Sequence, residues 1–219
     1  MEATLATIIA AAAPLLFATT GETISEKAGV INLSLEGSLM LSALAGFAAA
    51  FETGNTWLGF VAAAVVGAVF AAIVAFSSIT LRLNQIAVGF VLAILGVALS
   101  SFLGSGYTGK PGGPVAVPPL DIPLLSDIPF VGPVLFSHDI VVYASIVVVS
   151  FTWWFMYRSR PGLALQGVGE RPEAAFSRGV HVNRLRYVYT IIGGALVGIG
   201  GAAFTLDVKL GWSFQHTRN

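Results

Sequence analysis

Apolar residues run through this chain in blocks that are too long and too uniform for the core of a water-soluble domain. Six blocks approach the roughly 20 residues that a helix needs to cross a bilayer, at approximately 3–20, 28–51, 57–79, 86–103, 140–157 and 188–206. The pattern predicts an all-α polytopic membrane bundle of about six spanning helices, forming one transmembrane domain over 1–219. Pro14 should kink the first span, with the carbonyl it frees near Ala10 satisfied inside the bundle. In the sixth, IIGGALVGIGGAAF, Gly194 and Gly198 stand four apart with Gly201 and Ala202 on neighbouring turns. That spacing lets another backbone approach closely and is a packing signal.

One stretch breaks the apolar pattern. GETISEKAGVINLSLEGSLM, from Gly21 to Met40, carries charge where a span is expected. Placed on a single helix at about 100° per residue, Ser25, Gly29, Asn32 and Glu36 share one narrow arc. Glu22 and Glu26 lie beside that arc, and Lys27 points away from it. A polar stripe on an apolar helix must face protein or water, because lipid leaves its groups unsatisfied. The stripe therefore predicts that Asn32 and Glu36 face the protein interior, close to a translocation path. Its apolar run begins near Leu39, so a broken or re-entrant helix near 21–38 is also open.

Composition and loop charge refine this picture. The chain is 56% hydrophobic and only 10% charged, against roughly 25% charged in a soluble domain, and its mean hydropathy is +0.84. Eleven basic and eleven acidic residues cancel, so no basic field exists to attract nucleic acid. The loop at 158–187 holds Arg158, Arg160, Arg171, Arg178, Arg184 and Arg186 against Glu170 and Glu173. The loop at 104–139 is proline-rich, with Pro111, Pro114, Pro118, Pro119, Pro123, Pro129 and Pro133, and Lys110 is its one basic residue against Asp121, Asp127 and Asp139. The positive-inside rule makes the first loop cytoplasmic and the second external. Alternation then places the Glu22 to Lys27 and Arg82 turns inside, and the Glu52 to Thr56 turn and N terminus outside. The start carries an acid instead of a basic region, which reads as a retained helix and not a cleaved signal.

Within the arginine-rich loop, Pro172 to Gly179 has the signals of a short helix of about two turns. They are Pro in the first turn, Glu173 at the positive end, Arg178 in the last turn and Gly179 as terminator. Such a helix between two spans suits docking on a cytosolic protein. Catalytic readings find no support. His138, His181 and His216 are not spaced as a metal pair, there is no cysteine, and no Gly-x-Ser-x-Gly elbow occurs. Gly106 to Lys110 lacks the glycine spacing of a phosphate-binding loop.

Three of these stretches carry a family resemblance. Glu173-Ala174-Ala175 followed three residues later by Gly179 matches the EAA-three-residues-Gly pattern of permease subunits in ATP-binding-cassette importers. GLALQGVGERPEAAFSRGV, GETISEKAGVINLSLEGSLML and LNQIAVGFVLAILGVALSSFL resemble the nucleoside and simple-sugar branch of the branched-chain amino acid permease superfamily, with Ala93 standing where that pattern has Asn. The resemblance covers most of 14–214. Permeases of this branch are longer and continue with further spans after GWSF, so it implies a chain truncated at its C terminus, after Gln215 to Asn219.

The resemblance implies the permease subunit of an ATP-driven importer in the plasma membrane, moving a nucleoside or simple sugar delivered by an external binding protein. It implies no catalytic residues and no cofactor of the chain's own, ATP being used by a cytosolic ATP-binding-cassette ATPase. The other partners implied are a second permease subunit, as homo- or heterodimer, a substrate-binding lipoprotein and membrane lipids. Asn84 and Gln85 would join Asn32 and Glu36 along the pathway, and Glu170, Pro172, Glu173, Ala174, Ala175 and Gly179 would couple to the ATPase. The rival is a secondary transporter or channel using Glu36 to couple a proton or cation. A purely structural scaffold ranks last, because it leaves the polar stripe without purpose.

Overall fold

The computed structural model describes residues 2–112, 115–118, 120 and 137–213. Pro114, Pro119, Asp121, Pro123, Asp127, Pro129 and Pro133, and the terminal stretch 214–219, lie outside the described residues. Among the described residues, eight α-helices follow in order: α1 Glu2–Lys27, α2 Leu35–Thr53, α3 Thr56–Ala75, α4 Gln85–Gly104, α5 Ile140–Arg158, α6 Arg160–Glu170, α7 Pro172–Ser177 and α8 Val182–Ala203. Single π-helical turns, Phe76–Thr80 and Phe204–Val208, extend α3 and α8. Six of these helices, α1 to α5 and α8, are long and apolar enough to cross a membrane. The bundle is all-α and polytopic.

Local sequence starts the helices where they start. The side-chain oxygens of Asn55, Asn84 and Asp139 each accept hydrogen bonds from two backbone amides at the head of α3, α4 and α5. Such caps satisfy donors that a helix leaves unpaired. Ser159 caps α6 by accepting one amide, that of Gly162, and Pro161 occupies the first turn. Three bounds differ from those read from hydropathy. The first span continues past Thr20 to Lys27, the second begins at Leu35 instead of 28, and the last begins at Val182 instead of 188. At the first and last of these bounds, charged residues sit on helix turns that reach beyond the apolar block, so hydropathy alone clips them, whereas the second helix starts late because residues 28–34 are not helical.

α8 is the central element. Of its apolar window 56% is buried, against 22% for α4, the least covered span. Its glycines are spent on three neighbours: Gly193 lies against Gly21 of α1, Gly194 and Gly198 against Gly67 and Ala63 of α3, and Gly201 against Leu39 and Ala43 of α2. Backbones meet there, as the Gly194 and Gly198 spacing predicted. α1 runs unbroken through Pro14, whose carbonyl faces Gly200 of α8. α4 packs on α2 with Gly96 and Gly37 backbone to backbone and Ala93 alongside. The position where the family pattern has Asn thus makes a close helix crossing.

The connections gather at two ends. At one, the Tyr107 hydroxyl donates to Glu52 Oε1 at 3.3 Å, Thr56 Oγ1 donates to the Val115 carbonyl at 2.9 Å, and Lys110 Nζ lies 4.7 and 4.6 Å from the Phe51 and Tyr107 ring centroids. At the other, Arg186 reaches Gly29, Tyr187 bonds Thr80, and Gln85 bonds the backbone of Ile31. This second, arginine-rich end holds α6, α7 and the joint between α1 and α2.

Candidate functional site

The polar stripe is not one helix face. α1 ends at Lys27, and residues 28–34 form a break before α2. Gly29 sets the break with φ of 79°, in the left-handed region that a side chain disfavours. Gly29 N donates to the Glu26 carbonyl at 2.8 Å and Val30 N to the Ser25 carbonyl at 3.0 Å, closing the end of α1. The residues of the expected stripe are thereby divided. Ser25 is buried on α1, Asn32 is buried in the break with 2% exposure, and Glu36 is exposed in the first turn of α2.

One expectation is corrected by this division. Glu36 does not face the interior of this chain, but stands exposed at a helix end. The partly buried acid of the stretch is Glu22: its Oε1 accepts the Asn32 amide at 3.0 Å, and its Oε2 is buried without a hydrogen-bond partner among the described residues. Sequence reasoning passed over Glu22 because it lay beside the arc and not on it.

The break is fastened from several sides. Asn32 Oδ1 accepts the Ser34 amide at 3.1 Å and the Ser34 hydroxyl at 2.6 Å, a local turn that leads into α2. Gln85 Oε1 accepts the Ile31 amide at 2.8 Å, which ties the break to the head of α4. Asn84, exposed, accepts the Ile86 and Ala87 amides at 2.9 and 3.3 Å. Gly89, one turn further on, sits against Leu33. The structure therefore brings Asn32 and Gln85 to one place, gives Asn84 a capping role beside it, and leaves Glu36 facing outward.

The second cluster is the α6–α7 loop. α6 buries Leu165 and Val168 and exposes Leu163. α7 follows at Pro172, and Gly179, with φ of 81°, turns the chain out of it while its amide donates to the Phe176 carbonyl at 2.9 Å. Glu170, Pro172, Glu173, Ala174 and Gly179 are exposed. Ala175 is not, being 9% exposed and packed inward, so it supports α7 from below instead of giving a partner room to approach. The most exposed large side chain here is Phe176, at 73%, and sequence reasoning did not single it out. A shallow groove lined by Leu163, Gly167, Glu170, Arg171, Ala174 and Arg178 runs beside it. An exposed aromatic next to a groove edged with charge has the form of a protein-docking surface.

The two clusters touch. Gly169 of α6 lies against the Lys27 carbonyl and the Gly29 amide, and Arg186 of α8 donates through Nη2 to the Gly29 carbonyl.

Residues 4–216 match the family described as the permease component of branched-chain amino acid transport systems. The chain is similar to a putative glucose ABC transporter permease of Haloferax volcanii, 40% identical over 93% of this chain and 63% of that protein. It is also similar to a nucleoside ABC transporter permease of Lactococcus lactis, 31% identical over 90% of this chain and 65% of the relative. A guanosine ABC transporter permease of Bacillus subtilis is 31% identical over 94% of this chain and 67% of its own length. The chain thus spans about two thirds of the length of these relatives. No solved structure matches it.

Proposed function

We infer, because this chain belongs to the family of permease components of branched-chain amino acid transport systems, that it is the membrane-spanning subunit of an importer driven by a separate cytosolic ATPase. It is a multi-pass integral protein of the plasma membrane. The cargo is a nucleoside or simple sugar, the classes named for its relatives, handed over by an external binding protein. A second permease subunit completes the pathway, and the chain does no chemistry of its own. The break at 28–34, with Asn32, Gln85 and the outward-facing Glu36, lies beside that pathway at its cytoplasmic end.

The observation that carries this reading is α7. A six-residue helix presents Phe176, Glu173 and Ala174 away from the bundle at the arginine-rich end. An exposed aromatic there gains little for the isolated chain and much for a partner that buries it. The ion-coupled alternative is not favoured: Glu36 stands in a first helix turn, where an acid is already stabilised by the helix dipole.

Phe176→Ala tests the reading, because it removes an exposed side chain and leaves stability within about 0.5 kcal/mol. Losing even ~1.4 kcal/mol of docking energy lowers affinity for the ATPase about tenfold. Membrane insertion is expected to be normal, with ATPase co-purification and uptake both reduced. Gly179→Val gives a companion result. No atom lies within 4 Å of a Cβ at this position, so the change acts through backbone strain of about 1–2 kcal/mol at the exit of α7. Undiminished co-purification and uptake in both variants would remove the support for an ATP-driven importer.

A further inference from the structure

We propose that Arg186, together with Gly169, is the joint through which movement of the α6–α7 loop is passed to the break between α1 and α2. The proposal rests on the importer reading, in which that loop seats the ATPase. Its evidence is the way the break is held.

Residues 28–34 leave backbone groups that the helical ladders of α1 and α2 do not pair, and those groups are paired by side chains. Three elements supply the partners. The Gly29 carbonyl accepts from Arg186 on α8, the Ile31 amide donates to Gln85 on α4, and the Asn32 amide donates to Glu22 on α1. Arg186 is partly buried, and its Nε is buried without a hydrogen-bond partner among the described residues. A guanidinium carries five N–H donors in a fixed fork. Among the described residues, its hydrogen bond goes to the Gly29 carbonyl in the break.

Gly169 makes the contact two-sided. A Cβ built there comes within 3.2 Å of the Gly29 amide and closer still to the Lys27 carbonyl. α6 therefore abuts the last turn of α1, and an inward push on α6 displaces the break. Abutment carries no pull, whereas a charge-assisted hydrogen bond from a side chain to a carbonyl does. Arg186 lies just beyond the loop that follows α7, so outward movement of that loop draws on Gly29. From Gly29 the connection continues to Gln85 and Gly89 at the head of α4, and Glu36 stands in the first turn of α2, two residues after the break. Both directions of an ATPase cycle then reach the same few residues. Arg186 is thus a positioning residue that touches no cargo, and it lies outside the groove assigned to docking.

The test uses the complex of the full chain with its ATPase. The chain has no native cysteine, and Ile31 is 46% exposed, so Ile31→Cys reports on the break through its rate of maleimide labelling. In the otherwise unaltered chain that rate is expected to change at least threefold between the nucleotide-free and the ATP-plus-vanadate states. With Arg186→Met the two rates should converge and uptake should fall about tenfold, while the ATPase stays bound and hydrolyses ATP. Arg186→Lys, which still offers a charged donor, should restore most of the difference, a rescue that a merely structural role does not predict. A bound ATPase with nucleotide-insensitive labelling in the unaltered chain would overturn the joint alone, whatever the variants do. So would an Arg186→Met complex that keeps both the labelling difference and uptake, or one that sheds its ATPase. Failure of the unaltered chain to hold an ATPase would overturn the importer reading itself.

Discussion

Glu22 and Glu36 lie in one short stretch yet meet different physics. Glu22 is partly buried and supplies the acceptor for the Asn32 amide. Removing that acceptor leaves a buried donor unpaired, at a cost of about 1–3 kcal/mol. Glu22→Leu is therefore expected to lower the melting temperature of the detergent-purified chain, with Glu22→Gln, which keeps an acceptor, falling in between. Glu36 is exposed on α2, so Glu36→Leu should leave the melting temperature nearly unchanged. Its effect is expected in uptake per inserted molecule, because the proposed function sets its side chain toward the second subunit or the pathway; unchanged uptake would place it against an indifferent surface. The sequence placed Ser25, Asn32 and Glu36 on one arc, since helical periodicity assumes the helix continues. The signal against it was present at Gly29, followed by the β-branched Val30 and Ile31, residues of weak helix preference. Such preferences are small, and it took the outside partners Arg186 and Gln85 to make the break the better state. Those partners are remote in sequence, which is why the joint was not legible and the polar residues around it were.

Among the elements, α7 was legible from Pro172 and Gly179 because a helix start and stop are local chemistry. α6 was not foreseen. Gly162, Gly167 and Gly169 give it poor intrinsic helicity, but Gly162 lies against the Phe155 carbonyl and Gly169 against α1, so close packing decides where propensity does not. The same reasoning applies with more force to α8. At Gly198, a side chain would enter the space held by the backbone of Ala63 and Ala64 on α3. Overpacking a core typically costs about 1–3 kcal/mol, and contact with backbone leaves little room to relax. Gly198→Leu should insert in the membrane but show a lower melting temperature and faster proteolysis. Gly106→Leu is the control, because no atom lies within 4 Å of that position, and it should match the unaltered chain. Equal stability of the two variants would contradict the close α3–α8 packing.

At the scale of the whole molecule, two ends of unlike charge predict which way the bundle sits. Arg158, Arg160, Arg171, Arg178, Arg184 and Arg186 mark the end expected inside, and Thr108 lies at the other. In the cysteine-free chain, an impermeant thiol reagent added outside cells should label Thr108→Cys and spare Ser177→Cys, and the reverse pattern would invert the orientation. The count of spans could be read from sequence because the bilayer imposes it on each segment separately. Their lateral order could not, since lipid tails are as apolar as leucine and small-residue spacing names no partner. That order has a consequence for how the protein is made. α1, α2 and α3 all rest their small residues on α8, yet roughly a hundred residues of synthesis separate the end of α3 from the start of α8, or roughly 5–20 s at usual elongation rates. During that interval α2 can already pair with α3 through Gly46 and Gly59 and with α4 through Gly37 and Gly96, while Gly21 of α1 and Gly67 of α3, which meet the α8 backbone, still face lipid, so the centre of the bundle closes only when α8 arrives.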